Sequence, residues 1–453
     1  MKMKRIMKML LTLAIIAVEM AAGSSVAMAQ NYVKVDAANF PDKAIRNALD
    51  RFANEMLDYG EIEEDADYIE YDADNLGTFR RDSSGVIFVD IDSVEILRVE
   101  DVDGIVYNTD CLKLFSKLNS LYITKYGASS FTSGQKITNI ILSGICVPTI
   151  TVSAENAQSV SIDGTNNLKN VTMKAPKATE VWITGKKITK LSLGNMDKLE
   201  TLYIRTGIKS LDVSKYIKVN DLTIVAPLTK LTGLNKLKKL QYVGIDKTKL
   251  KALDFTANRK LVWIYCDKNK QLTSIKIPIS VNRLYVTDSN IKKLDLKKIK
   301  KLEDLYINGN TNLKSIDVSK NKNLERLNIG CTKISKLNLA NNKKLTSLSC
   351  YQTKLNSLNL KKNTNLKYLS FYGSKIKKLN LSKQKDLRLS FETKKGKTIS
   401  LKNYIGSGYK VVDQSDTLSY SKKTGKIKVK KKGYSTLTLK KGSRVFYVEI
   451  YAK

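Results

Sequence analysis

Residues 344–387 read KLTSLSCYQTKLNSLNLKKNTNLKYLSFYGSKIKKLNLSKQKDL, and the same short apolar pattern occurs twice within them. One unit has the form L-x-x-L-x-L-x-x-(N/T)-x-L, followed by a second segment of the form I/L-x-x-L-(D/N)-(L/V). The first position of this unit recurs along the chain at Leu118, Ile137, Ala157, Ala178, Leu199, Val219, Leu240, Leu261, Val281, Leu302, Leu324, Leu345, Leu366 and Leu387. A period of 19 to 22 residues held over thirteen intervals predicts a stacked solenoid, because one unit cannot bury its apolar side alone.

Each unit is predicted to form β-structure. The alternation in L-x-L places the leucines on one side of a strand and the residue between them on the other side. No segment of a unit is long enough for a full helix between its two apolar segments. We therefore predict a mostly β fold in which one row of strands faces a second row of short strands or turns.

The repeats carry a specific resemblance. These units resemble leucine-rich repeats, and the 21-residue form with an LDVS-like second segment is similar to internalin-like secreted proteins of Gram-positive bacteria. The stretch AANFPDKAIRNAL, Ala37 to Leu49, resembles the helical cap that precedes such repeats in that family. The stretch TGKIKVKKKGYSTLTL, Thr424 to Leu439, resembles bacterial Ig-like domains of the second type. The resemblance implies an exported, non-enzymatic binding protein.

These features predict four segments. Residues 1–29 are a signal peptide, with basic residues, then an apolar run from Met9 to Val18, then small residues ending at Ala29. Residues 30–117 form an acidic cap domain that contains a helix, and residues 118–393 form the leucine-rich-repeat solenoid. Residues 394–453 form a β-sandwich-like domain. The chain ends at Lys453 without a sorting signal or membrane anchor, so we expect a secreted protein held at the cell wall, if at all, by non-covalent forces.

Charge is distributed unevenly along the chain. The formal net charge is +36, yet residues 31–110 carry −14 and residues 111–453 carry +47. Nearly all of this excess is lysine, which favours diffuse attraction to polyanions over the bidentate recognition that arginine provides. Biased codon usage on a solvated surface explains the same composition, and the sequence leaves both explanations open.

The sequence disfavours an enzyme. The chain contains no histidine, which removes the commonest general base and the commonest metal ligand. It also lacks a Gly-rich phosphate loop, a cysteine-rich metal spacing and a G-x-S-x-G motif. The acidic stretch from Asp72, with Gly77 at its sixth place, has Ser83 at the twelfth instead of the glutamate of an EF-hand. We predict no catalytic residue, no metal site and no cofactor.

The five cysteines do not indicate a disulfide scaffold. Cys266 and Cys350 occupy the same inward position of their units and are predicted to be buried apolar residues. Cys111 and Cys146 flank the first units, and the sequence leaves open whether they pair.

The residue between the two core positions of each first segment forms a distinct row. Six of these fourteen residues are aromatic, whereas aromatic residues make up 8% of the chain. The row consists of Tyr122, Ile141, Ser161, Trp182, Tyr203, Thr223, Gly244, Tyr265, Tyr285, Tyr306, Asn328, Ser349, Ser370 and Ser390. A cross-strand ladder that stiffens the sheet and a surface that contacts a ligand are equally compatible with it.

We predict that the aromatic residues of the row, together with Tyr242 and Trp263 beside it, bind the ligand. The candidate residues are Tyr122, Trp182, Tyr203, Tyr242, Trp263, Tyr265, Tyr285 and Tyr306. The expected partner is a host or neighbour-cell protein or an anionic cell-surface polymer held against the sheet, and no nucleic acid is expected. Two other functions are compatible with the same features: a polysaccharide-acting enzyme that uses the row as its substrate platform, and a purely structural surface spacer.

Overall fold

The structure is a computed structural model that describes residues 32–58, 79–81, 84, 86–100, 104–134, 136–164 and 167–453. The predicted signal peptide and the acidic stretch around Asp72 lie outside the described residues. The chain divides into two compact units, with the boundary between Ala157 and Gln158.

The first unit contains the predicted cap helix, α1 (Lys43–Asp58), and a 3₁₀ helix at Asp110–Leu114. Its strands are β1 (Tyr32–Lys34), β2 (Phe79–Arg81), β3 (Ile87–Asp90), β4 (Ile96–Val99), β5 (Ser120–Ile123), β6 (Ser130–Thr132), β7 (Asn139–Leu142) and β8 (Thr149–Ser153). Strands β1, β3 and β2 form an antiparallel sheet, whereas β4, β5 and β7 pair in parallel, as do β6 and β8.

The motif NFPD, residues 39–42, comes immediately before helix α1. Asp42 is buried, and its Oδ1 accepts hydrogen bonds from the backbone N–H groups of Ala44 and Ile45 at 2.9 and 3.3 Å, which caps the helix N-terminus. Its Oδ2 accepts from the backbone N–H groups of Tyr107 and Asn108 at 2.6 and 3.1 Å. One carboxylate therefore joins the helix to a loop 65 residues later in the chain.

The parallel ladder begins earlier than the repeat pattern in the sequence. Leu97 of β4 lies opposite Leu121 of β5, and both side chains are buried. Their separation is 24 residues, outside the 19 to 22 of the other intervals, so the sequence pattern did not detect this turn.

The second unit contains most of the repeats. Its strands are β9 (Ser159–Asp163), β10 (Asn170–Lys174), β11 (Glu180–Gly185), β12 (Lys190–Leu193), β13 (Thr201–Thr206), β14 (Ser210–Asp212), β15 (Asp221–Val225), β16 (Lys230–Thr232), β17 (Tyr242–Asp246), β18 (Ala252–Asp254), β19 (Trp263–Asp267), β20 (Ser274–Lys276), β21 (Arg283–Thr287), β22 (Asp304–Tyr306), β23 (Arg326–Asn328), β24 (Ser347–Ser349), β25 (Tyr368–Ser370), β26 (Asp386–Thr393), β27 (Thr398–Ser400), β28 (Lys410–Gln414), β29 (Leu418–Ser421), β30 (Lys426–Val429), β31 (Gly433–Lys441) and β32 (Arg444–Ala452). A 3₁₀ helix lies at Leu234–Lys236, and a short helix α2 lies at Lys402–Ile405.

The first segments of successive repeats form one parallel sheet. Its strands follow the order β9, β11, β13, β15, β17, β19 and β21 to β26. The second segments form separate parallel pairs, β10 with β12, β14 with β16 and β18 with β20. All fourteen repeat positions named from the sequence are buried. The fold is the predicted mostly β leucine-rich-repeat solenoid with a small N-terminal helix.

The last repeat interval differs from the prediction. Leu389 lies opposite Leu369, so this interval is 20 residues and the position equivalent to Leu366 is Asp386 instead of Leu387. Leu387 is nevertheless buried, because strand β26 alternates inward and outward over its length.

Buried amides satisfy the backbone where the coils turn. The residues concerned are Asn258, Asn321, Asn342, Asn363 and Gln384, all fully buried. The Nδ2 of Asn342, for example, donates to the carbonyl oxygens of Val318 and Asn321 at 3.0 and 2.8 Å. Each of these carbonyls also accepts a backbone N–H, from Asn321 and Leu324 respectively, so the amide supplies a second donor and joins its coil to the preceding one.

Each central coil also has one residue in the left-handed backbone region, just after its strand. These residues are Lys247, Lys268, Asp288, Gly309, Cys331, Gln352 and Gly373, with φ between 46° and 75°. Only two of them are glycine, the residue that adopts this conformation without steric cost.

The C-terminal residues continue the solenoid sheet. Strand β32 pairs in parallel with β26 over eight residues, from Asp386 opposite Val445 to Thr393 opposite Ala452. Strand β31 pairs antiparallel with both β32 and β28, and β29, β30 and β27 form a second antiparallel sheet. The edge of the solenoid sheet is therefore covered by the C-terminal hairpin. Its Ig-like identity stays a prediction.

The cysteines form no disulfide. Cys111 is buried, Cys146 is exposed, and the pairing of these two that the sequence left open is not made. Cys266 and Cys350 are fully buried, as predicted, and burial raises the pKa of the Cys350 thiol to about 12.

We predict that Leu305→Ala lowers the free energy of unfolding by about 2 to 5 kcal/mol, because the side chain is fully buried between Leu284 and Leu327. Chemical denaturation measures the change. The outward Ser349→Ala is the control and should cost less than about 0.5 kcal/mol. Equal losses in the two variants would contradict the assigned inward and outward positions.

We predict that Gln352→Gly stabilises the protein by about 0.5 to 1 kcal/mol. Glycine releases the strain energy that Gln352 has at a φ of 50°. This gain exceeds the free-energy cost of the extra conformational freedom that glycine gives the unfolded chain. The reverse change at the equivalent position, Gly373→Ala, should destabilise it by about 1 kcal/mol. Thermal unfolding of both variants tests the pair, and changes of the same sign would refute the explanation.

Candidate binding surface

The outward side chains of strands β9 to β26 in the solenoid sheet form what we call the sheet face. Within it, five aromatic residues make one connected group, the tyrosine cluster: Tyr242, Trp263, Tyr265, Tyr285 and Tyr306. Tyr285 lies at the centre, with its ring centroid 4.6 Å from Tyr306, 5.7 Å from Trp263 and 6.2 Å from Tyr265. These contacts are edge-to-face, and all five rings are partly exposed.

A buried carboxylate fixes one side of the cluster. Asp304 is only 1% exposed, and the Nη2 of Arg326 donates to its Oδ2 at 2.7 Å. The Tyr285 hydroxyl donates to the same oxygen at 3.2 Å, and the Nε of Arg283 lies 3.7 Å away. The guanidinium of Arg283 also lies 5.5 Å from the Trp263 ring centroid. The rings and both arginines are therefore held in place around one charge.

The electrostatics keep the tyrosines as hydrogen-bond donors. Burial, followed by the charge of Asp304, raises the pKa of Tyr285 to about 12. Burial likewise raises the pKa values of Tyr242, Tyr265 and Tyr306. The bond to Asp304 raises the pKa of Arg326 above its ordinary value. The cluster thus presents neutral phenols and permanent cations at physiological pH.

The other predicted residues lie apart from the cluster. Trp182 and Tyr203 stack on each other, with centroids 4.8 Å apart and an interplanar angle of 24°. In the row, Thr223 and Gly244 separate this pair from Tyr265. Tyr122 belongs to the first unit. The guanidinium carbon of Arg98 lies over its ring, 5.0 Å from the ring centroid of Tyr122.

Sequence reasoning missed residues on either side of the row. These flanking columns consist of the residue just before the first inward position of each strand and the residue just after the second. Asp304, Arg283 and Arg326 all precede the first inward leucine of their strands. Of this column, the sequence pattern had indicated only the aromatic Tyr242 and Trp263. Tyr351 and Tyr372 follow the second inward residue and stack with centroids 5.1 Å apart. Reading all three outward columns would have found both groups.

The sheet face differs in charge from the rest of the solenoid. In the part of the chain that the structure describes, no lysine takes an outward position in these twelve strands. The outward charges are eight carboxylates, Asp163, Glu180, Asp221, Asp246, Asp267, Asp304, Asp386 and Glu392, and four arginines, Arg205, Arg283, Arg326 and Arg388. The sheet face is therefore acidic overall although the chain is strongly basic.

Among the described residues, no group of three or more histidine, cysteine, aspartate or glutamate side chains could hold a metal ion. In the same part of the chain, no helix has both the length and the apolar character needed to cross a membrane.

We predict that Asp246 makes stability fall as the pH rises. Burial raises the pKa of Asp246 from 3.8 to about 6, so the folded state holds this proton more tightly than the unfolded state does. The contribution of Asp246 to the free energy of unfolding should therefore decrease between about pH 4 and pH 6, and Asp246→Asn should make the measured decrease smaller. Asp221, whose pKa burial also raises, contributes in the same direction and is left unchanged. Denaturation at a series of pH values measures it.

Asp254→Asn is the matched control. Hydrogen bonds from Thr256 and Lys276 lower the pKa of Asp254 to about 2, so its contribution to stability is lost only as the pH falls below about 4. This variant should keep the wild-type profile between pH 4 and 6. An unchanged profile for Asp246→Asn would contradict the assignment.

No protein-family model matches the sequence, and no curated protein is significantly similar to it. The chain is similar in structure to the functional domain of InlJ from Listeria monocytogenes, which includes a cysteine ladder: the sequence identity is 17%, the TM-score is 0.47, and 80% of this chain and 81% of that one are covered. It is also similar to the internalin InlF from Listeria monocytogenes, with 14% identity, a TM-score of 0.40 and coverage of 80% and 93%. A leucine-rich-repeat protein of Leptospira interrogans shares 15% identity, with a TM-score of 0.41 and coverage of 63% and 92%.

Proposed function

We propose that this chain is an exported, non-enzymatic binding protein of the adhesion type that holds a protein partner against the tyrosine cluster. The observation that carries the proposal is the fixed arrangement of five partly exposed aromatic rings and two arginines around the buried carboxylate of Asp304. The partner would be a host or neighbour-cell surface protein.

The composition of the cluster supports a protein ligand. Tyrosine, tryptophan and arginine are the residues that carry most binding energy at protein interfaces. Edge-to-face contacts and the Asp304 network hold the side chains in place before binding, so the partner loses little of its binding energy to ordering them. Contacts between aromatic side chains on neighbouring strands are sufficient to stabilise a sheet. A structural ladder of rings would therefore not require the additional carboxylate and arginines.

Export rests on the N-terminal sequence, where basic, apolar and small-residue segments follow one another in residues 1–29. The proposed division of the remainder into a cap, a solenoid and a C-terminal β domain also comes from the sequence.

The test replaces two rings that do not bond to Asp304. We predict that Tyr265→Ser with Tyr306→Ser, which installs the residue found at Ser349 and Ser370, weakens binding by roughly thirtyfold, because aromatic hot spots contribute about 2 kcal/mol or more. Labelled protein is titrated onto intact cells, with and without protease treatment of the cell surface.

The matched control, Tyr351→Ser with Tyr372→Ser, replaces the stacked pair that follows strands β24 and β25, and binding should not change. Saturable binding that resists protease but disappears after glycosidase treatment would support the polysaccharide alternative. A protein that shows no saturable binding to any cell tested would be a spacer. Equal losses in both double variants would rule out the tyrosine cluster as the contact site.

A further inference from the structure

Three successive coils carry a concentrated positive charge. Between Glu325 and Asp386 the sequence contains thirteen lysines and Arg326 but no aspartate or glutamate. All thirteen lysines are exposed, and none lies at an outward position of the sheet face. Most belong to the second segments and turns, on the side of the coils that the sheet face does not occupy. The excess charge of the chain is thus sorted by position, which a uniform codon bias would not produce.

A groove runs across the second segments of the same coils. It consists of two adjoining depressions of about 570 and 490 Å³, which share Ser357 and Leu358. Half-buried Leu337 and Leu358 contribute its apolar floor. Its lysines are Lys336, Lys362, Lys378 and Lys402, and we call it the lysine groove.

One column within the groove changes from aspartate to asparagine. Thr232 and Lys276 interrupt this column in the earlier coils. Its other members there are Asp212, Asp254, Asp295 and Asp317, the last of which lines one end of the larger depression, and the next three coils have Asn338, Asn359 and Asn380. In every case the side-chain Oδ1 accepts a hydrogen bond from the backbone N–H two residues later, at 2.9 to 3.1 Å. Aspartate and asparagine therefore make the same turn, and the fold does not require the change.

The consequence of the change is electrostatic. In an earlier coil, the Oδ2 of Asp254 forms an ion pair with the Nζ of Lys276 on the next coil, at 2.9 Å. Asparagine at the later positions removes the carboxylates that would pair with the groove lysines in this way. It also adds N–H donors, which a carboxylate does not have. The groove keeps a net positive charge, with four lysines and the carboxylate of Asp317 in its lining, and it gains donors.

These groups fit a particular class of ligand. Lysine binds phosphate as a point charge, whereas planar carboxylates favour the arginine fork. Asparagine and serine donate to hydroxyl groups and to phosphate oxygens. The larger depression has no aromatic residue in its lining, so nucleic-acid bases would find no ring on which to stack there. The smaller depression has one, Tyr404, whose ring packs against Phe371 and Phe391. Equivalent residues of neighbouring coils are about 4.8 Å apart, so a linear polymer lying across the coils contacts several at once.

We propose that the lysine groove binds a linear polyol-phosphate polymer. This site is separate from the protein-binding sheet face and has the opposite charge, so the two ligands do not compete. The sheet face, with eight outward carboxylates and four arginines, would repel such a polymer. The proposal does not depend on the tyrosine cluster having a partner.

The test introduces charge without altering the turns. The triple variant Asn338→Asp, Asn359→Asp and Asn380→Asp should fold as the wild type does, because Asp317 makes the same turn one coil earlier. Binding to immobilised poly(glycerol phosphate) in about 0.1 M salt should weaken by about tenfold or more.

The control adds the same charge elsewhere. The triple variant Ser210→Asp, Ala252→Asp and Ser274→Asp changes exposed second-segment positions. Each lies at least three coils from the nearest substituted asparagine, Asn338, roughly 14 Å at the strand spacing and beyond a Debye length of about 10 Å. This variant should change binding by less than about threefold. The Tyr265→Ser, Tyr306→Ser variant should bind the polymer as the wild type does.

Four results would overturn the proposal. They are no binding of the polymer, equal losses in both aspartate variants, loss of polymer binding in the tyrosine variant, or tighter binding of single-stranded DNA than of poly(glycerol phosphate). Unchanged melting temperatures of the three variants would show that each result reports on binding alone.

Discussion

Burial of the inward leucines between neighbouring coils is the constraint on which the rest of the structure depends. A side chain such as Leu305 is fully buried and lies opposite Leu284 and Leu327 of the adjacent coils, and a single coil could not enclose it alone. This requirement fixes the parallel register of the sheet. The register in turn decides which outward residues become neighbours, including those of the tyrosine cluster.

Stacking coils also creates polar demands that the leucines cannot meet. Backbone carbonyls become buried at the turns, and the ladder of amides that includes Asn342 and Asn363 gives them a second donor from the next coil. A left-handed residue after each central strand turns the chain toward the second segment, and the chain places Cys331 and Gln352 there although glycine would fit with less strain. At the C-terminal end the sheet edge needs a partner, which β32 provides.

The two sides of the coils are chemically different because the fold leaves their outward positions free. On the sheet face these positions hold aromatic rings, carboxylates and arginines, with Asp304 buried among them. On the second segments they hold lysine, serine and asparagine, and the carboxylates disappear where the lysines concentrate. Neither pattern is needed to bury the core. Both patterns can therefore change without exposing the core.

The sequence by itself determined the β-solenoid, the inward leucines and the row that contains Tyr265, Tyr285 and Tyr306. It did so because the two-residue alternation of a strand and a period near 21 residues are local properties that can be read without coordinates. The turn formed by β4, with its 24-residue interval, and the 20-residue step to Leu389 escaped the pattern, because register depends on hydrogen bonding between coils.

Only the tertiary structure decided which side chains interact across coils. It placed Asp304 between Arg283 and Arg326, joined Tyr242 and Trp263 to the cluster, and left Trp182 and Tyr203 as a separate pair. It also paired β26 with a strand about 60 residues later. The physical reason is that these contacts depend on the register and side-chain direction of residues far apart in sequence, and no local period encodes either.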